Sequence, residues 1–377
     1  MDEFDLPEDL EDVEVIYSDG EDEENIEDML DEVNIDENGE EIEAEIIDLA
    51  LLTFTKHSKS VFSSDLSNDS QLAITGGEDD MAYLWNTNNG EIIFECTGHK
   101  DSVTEVSFNH DNHYIATADM GGMIQVWSVK DKKLVWCFEG DDMEWLSWHP
   151  LANVLFCGCH SGDIYIWQIP QGNCKVLASP NNSPSSCGKV LPNGKQLLAG
   201  YEDGQLRLWN IKETSVEWSN SGNLPVTNID VNIDGTLAIV IPGSVIIKLS
   251  DGKPTSTLLP DGENEIESAL FNSELAIVAT GSLSGQLCVW ELGRQVLRHQ
   301  AKIECAVTLL KWGTNGKIFI GATDGAVYVC DVKSGTLLET LTGHRTDILS
   351  ISVFKEGSKI LTTSDDGTAK IFNVKSN

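Results

Sequence analysis

The chain has 377 residues, of which 62 are acidic and 24 basic, for a formal charge of −38 with 41% apolar side chains. Residues 1–48 hold 24 of the acids and no Lys or Arg, leaving 38 acids against 24 bases for the remainder, a balance of −14. Both parts repel phosphate and anionic lipid, so direct nucleic-acid or membrane-surface binding is excluded and basic protein is the natural complement.

Residues 1–47 are too charged to bury a core and are expected to form a disordered acidic tail. Within it, Ile26, Met29, Leu30 and Val33 stand at i, i+3, i+4 and i+7, the spacing of one helix face, so a partner-binding segment that folds on contact is the second reading. The start lacks the basic and apolar regions of a signal peptide. The longest apolar segment, residues 237–249, is interrupted by Pro242, Gly243 and Ser244, so no span is expected. Nine cysteines fall mostly inside strand-like stretches without paired spacing and read as reduced thiols, which places the protein in the cytoplasm, with the nucleus as a second compartment.

From residue 49 onward the pattern repeats. Taking the residue that closes the third strand of each unit as the mark, the slot recurs at Trp85, Trp127, Trp167, Trp209, Lys248, Trp290, Cys330 and Phe372. The intervals are 42, 40, 42, 39, 42, 40 and 42 residues. Several short alternating strands per unit at that period predict an all-β, eight-bladed propeller spanning residues 48–377. Gly98-His99 and Gly343-His344 open units, and Asp-Gly turns sit five to six residues before the closing residue, as at Asp366-Gly367 ahead of Phe372, which is where the resemblance to WD-repeat proteins rests. Residues 51–57 align with 338–344, the outer strand and turn before the last unit, and the chain ends just after that unit's third strand. The segment 49–56 therefore supplies the missing fourth strand and closes the ring, removing two open sheet edges. Unit five is the weakest: its turn is Pro242-Gly243-Ser244, Lys248 takes the aromatic slot, and residues 237–241 are expected as its inner strand.

Unit one carries His57, Thr75, Asp79 and Trp85 at the spacing of a buried chain from indole N–H to hydroxyl, imidazole and carboxylate. The last unit repeats it with His344, Thr362 and Asp366, and unit two has His99, Thr117 and Trp127 but Gly121 where the carboxylate is expected. A His-Asp-Thr set invites a hydrolase reading, yet an active site need occur once, whereas this set recurs per blade; the groups are structural. No phosphate loop, His-Glu-x-x-His or Cys-x-x-Cys is present. A non-enzyme without metal or cofactor is expected, monomeric and binding a basic protein or peptide.

The loops that enter each blade and the turns between its second and third strands project to one face. Those positions include Glu78, Asp101, Asp142, Glu202, Glu263, Glu265, Glu304, Asp347 and Asp365. They read either as a solvated acidic rim or as a cup for a Lys/Arg-rich segment, with Trp145 and Tyr201 as cation–π platforms.

Several stretches go beyond a generic repeat, among them residues 75–80, 94–104, 144–150, 187–192, 200–204 and 297–300. With an acidic tail ahead of the ring, the chain resembles the angio-associated migratory cell protein family over residues 49–377. The resemblance implies two roles. One is a cytoplasmic scaffold in cell migration and angiogenesis, with heparin binding that the base-free tail of this chain does not match. The other, from the similar fungal protein, is a chaperone that holds the basic N-terminus of a large-subunit ribosomal protein on an acidic eight-bladed ring. The acidic face favours the chaperone.

Overall fold

A computed structural model describes residues 46–179, 181–260 and 265–375. Residues 1–45 of the acidic tail, including Ile26, Met29, Leu30 and Val33, lie outside the described residues, as does Glu263. The described residues form 32 strands in eight four-stranded antiparallel sheets and no helix.

Blade 1 shows how the repeat becomes a sheet. Its strands run in order from the axis outward as Val61–Leu66, Leu72–Gly77, Ala82–Asn86 and Ile92–Cys96. The second strand is buried on both faces because neighbouring blades cover them, so it is built from small and apolar residues, not a polar–apolar alternation. The same order recurs in the next six blades. Blade 8 differs in its outermost strand, which is the N-terminal Leu52–Phe54, paired with Ala369–Asn373 in the register Leu52 to Ile371, Thr53 to Lys370 and Phe54 to Ala369.

That closure is fastened by more than strand pairing. The Leu49 and Leu51 amides donate to the Thr342 and Ile371 carbonyls at 2.9 and 2.7 Å. The buried Lys370 ammonium meets Asp48 at 2.5 Å. Phe54 stacks on Trp85 of blade 1, with ring centroids 4.6 Å apart and planes 7° from parallel. The N-terminal strand is thus bonded to blade 8 and packed on blade 1, and one apolar cluster spans both.

The core has no single centre. It is divided into clusters lying between adjacent blades, such as Ala116, Val126, Met143 and Trp167 between blades 2 and 3. Each sheet therefore buries its two faces only when both neighbours are in place.

Two expectations for blade 5 are corrected. Leu237–Ile241 is the second strand; the innermost is Asn228–Val231, which pairs with it. The closing slot belongs to Ile247, since Ala238 pairs with Ile247 as Ala73 pairs with Trp85. Ile247 is buried and Lys248 is exposed, as the desolvation cost of an unpaired ammonium requires.

Candidate protein-binding face

The buried hydrogen-bond chains hold the turns of the face in place. In blade 1, Trp85 Nε1 donates to Thr75 Oγ1 at 3.3 Å, Thr75 Oγ1 meets His57 Nε2 at 3.0 Å, and His57 Nδ1 meets Asp79 Oδ1 at 2.9 Å. Blade 8 repeats the last two steps through Thr362, His344 and Asp366 at 2.7 and 2.9 Å. Burial alone would raise the Asp366 carboxyl, but the His344 hydrogen bond and charge outweigh it and hold the group at about 2. Blade 2 is complete as well, which corrects the expectation of a missing acid. His99 Nδ1 meets Asp119 Oδ2 at 3.1 Å, and Asp119 lies two residues after Thr117 instead of four. Asp119 also accepts the Lys100 and Met123 amides, so it clamps the loop entering the blade to the turn following its second strand.

The same clamp is drawn in backbone bonds around the ring. Glu78 N donates to Ser60 O, Met120 N to Ser102 O, His160 N to Asp142 O, Glu202 N to Pro184 O, Leu283 N to Glu265 O, Thr323 N to Ala306 O and Asp365 N to Asp347 O, all at 2.9 to 3.2 Å. Entering loop and turn are so joined in seven blades, which fixes their side chains on one face. Asp101, Asp142, Glu202, Glu265, Glu304 and Asp365 are exposed there, and Glu78 and Asp347 are half-buried. Bases on the face are partly spent: Lys59 pairs with Glu78 at 3.3 Å and Lys100 with Glu139 at 2.7 Å. Exposed His160 is held to Glu144 at 2.9 Å, and that hydrogen bond raises its pKa.

Neither aromatic platform is available to a ligand. Trp145 is only 7% exposed, and its indole N–H donates to Ser185 Oγ at 3.1 Å. The ring lies between blades 3 and 4 over two glycines: a Cβ on Gly158 or Gly188 would fall 2.0 or 2.2 Å from it. Tyr201 is fully buried and replaces the threonine of the blade 4 chain, its hydroxyl accepting from Trp209 Nε1 at 3.3 Å. Its ring does receive a cation, but an internal one: the Arg207 guanidinium sits 4.6 Å from the centroid. Arg207 is itself buried, with neutral partners Ser179 and Gln205.

Sequence reasoning also missed the charges on the inner strands. Asp65 of blade 1 and Asp230 of blade 5 occupy the same strand position and accept the Phe108 and Phe271 amides of the following blades at 2.8 and 2.9 Å. Lys189 of blade 4 pairs with Asp230 at 3.3 Å. Burial lowers the Lys311 ammonium of blade 7, against the opposing pull of Asp65 and Asp230. Burial, with Asp65 adding to it, pushes the Glu105 carboxyl up to about 7. The available signal was position: Asp65, Lys189, Asp230 and Lys311 recur at one register point of the inner strand.

Among the described residues no cluster of three His, Cys, Asp or Glu side chains is placed to hold a metal, and no helix is long and apolar enough to cross a membrane. Among the described residues no disulfide joins any of the nine cysteines.

Eight four-stranded blades with His-Thr-Asp chains and an acidic loop face define a WD-repeat propeller. The family described as WD domain, G-beta repeat matches residues 50–86, 90–128, 175–210 and 335–373. The chain is 39% identical over 350 residues to the angio-associated migratory cell protein of Homo sapiens, covering 86% of this chain and 80% of that protein. It is 25% identical over 393 residues to the ribosome assembly protein SQT1 of Saccharomyces cerevisiae, covering 91% of each. Among solved structures, Chaetomium thermophilum Sqt1 bound to the N-terminus of the ribosomal protein L10 shares the fold with a TM-score of 0.79 at 20% identity, over 87% of this chain and 100% of that one. The chain belongs to the angio-associated migratory cell protein family.

Proposed function

We propose that the ring is a non-enzymatic interaction module whose acidic face holds a basic segment of a large-subunit ribosomal protein during assembly, acting in the cytoplasm. The carrying observation is the set of carboxylates that the loop–turn clamps aim to one side, with Lys59 and Lys100 already paired to Glu78 and Glu139. Support for the partner class comes from the relatives: one is named a ribosome assembly protein, and a structural neighbour is bound to a ribosomal-protein N-terminus. Carboxylates fixed by backbone bonds are preorganised, so binding a flexible cationic segment costs ordering entropy mainly on the partner's side.

The test is a pull-down from lysate at two salt concentrations with the full chain and an Asp142→Lys, Glu202→Lys, Glu304→Lys variant. All three sites are exposed, so each change should leave stability within about 0.5 kcal/mol. The wild type should retain one basic ribosomal protein at low salt, weakly at high salt, and the variant should lose it. Retention by the variant, or salt-independent capture, refutes the acidic-face mechanism. A second reading, a scaffold in cell migration, is favoured by the 39% identity to the human protein. It predicts that depletion leaves ribosomal subunit ratios unchanged.

A further inference from the structure

The acidic face is one end of the ring; the turns joining inner to second and third to outer strands form the other. Between blades 3 and 4 at that other end lies a groove of about 550 Å³. Its floor is apolar, made by Val154, Ile166 and Ile211, the outer margin of the core cluster shared by the two blades. Its rim carries Lys175, Lys195 and Lys212, all exposed, against one carboxylate, Glu213. Among the described residues none of the three ammonium groups is ion-paired; Lys175 Nζ donates only to the Lys212 carbonyl, at 3.0 Å.

Three unpaired lysines around an apolar floor are out of keeping with a chain that carries 62 acids to 24 bases. Lysine stems do cover apolar surface, and a lysine on an outer strand blunts an open edge, which accounts for Lys175 on Asn173–Leu177. It does not account for Lys195 and Lys212, which come from two separate turns of blade 4 and converge on the same groove. We propose that this groove is a second docking site, for an acidic partner segment whose aliphatic side chains reach the floor while its carboxylates meet the three lysines. The ring would then bind a cationic chain at one end and an anionic amphipathic chain on its opposite flank. Charge complementarity selects that occupant, since the groove repels the basic segments that suit the other face.

The experiment measures fluorescence anisotropy of the full chain with a labelled Asp/Glu peptide carrying paired leucines, a length-matched Asp/Glu peptide without leucine, and a lysine-rich peptide. The leucine-bearing acidic peptide should bind more tightly than its leucine-free control. Lys175→Glu, Lys195→Glu, Lys212→Glu should weaken it by at least about tenfold while leaving the lysine-rich peptide unaffected. Cys174, exposed at the groove wall, supplies a readout on the unaltered protein: the leucine-bearing peptide should slow its alkylation and leave that of exposed Cys137 unchanged. Equal binding of both acidic peptides, undiminished binding by the variant, or unprotected Cys174 would overturn the proposal. So would self-association of the wild type that the variant abolishes, since it assigns the groove to a second copy.

Discussion

Phe54→Ala tests whether the N-terminal strand holds the ring shut. Phe54 is 3% exposed, stacked on Trp85 and edge-on to Tyr83 at 5.9 Å, while its strand is hydrogen-bonded to blade 8. Truncating a buried Phe costs about 3–5 kcal/mol, the upper part of that range applying where neighbours cannot collapse into the void. Collapse is resisted here, because Trp85 is tied to Thr75 through its indole N–H. At about 2.1 cal/mol/K per residue over a ring of roughly 330 residues, the loss lowers the melting temperature by about 4–7 °C. Leu51→Ala, three positions away and 53% exposed, serves as the control and should shift it by less than about 1 °C. Melting is followed by tryptophan fluorescence and circular dichroism. Equal, small shifts for both variants would refute the inference that residues 52–54 lock blade 8 to blade 1.

Asp366→Asn should cost about 2 kcal/mol near neutral pH, because the native carboxyl titrates well below its unfolded value. The difference from wild type should be full above about pH 4 and vanish as pH falls through about 2, read from urea midpoints across pH. A pH-independent difference would assign the cost to packing. Glu105→Gln has the opposite sign. The native carboxyl titrates above its unfolded value, so the wild type loses stability as pH rises from about 4 through 7, and the variant should be the more stable at pH 8 by up to about 3 kcal/mol, less what solvent screens at this half-buried residue. Arg207→Lys should destabilise by about 1–3 kcal/mol despite keeping the charge, since a lysine cannot reproduce the fork to Ser179 and Gln205 or the stack on Tyr201. An unchanged denaturation midpoint would show that the buried guanidinium contributes nothing net.

What the amino-acid order determined by itself was whatever recurs at fixed spacing. A period near forty residues sets eight blades, and the hydrogen-bond chains of blades 1 and 8 follow from offsets within a single unit. The likeness of residues 51–57 to 338–344 likewise anticipates the pairing of Leu52–Phe54 with the last blade. What only the tertiary structure decided is which side chains meet, within a blade and between blades. Trp145 looked like a surface aromatic until Gly188, in the next blade, was seen to make room for it. Tyr201 looked like a cation platform until Arg207 filled that role from inside. Asp119 became the blade 2 acid because backbone geometry lets a carboxylate two residues on reach the same imidazole, and Ile247 took the closing slot because strand pairing, not chain position, defines it. Asp65, Lys189, Asp230 and Lys311 became neighbours only when the ring closed. Local spacing writes the repeat because each blade's hydrogen bonds are short-range, whereas the burial of Trp145 and the pairing of Lys189 with Asp230 depend on residues some forty positions away that only blade packing brings within reach.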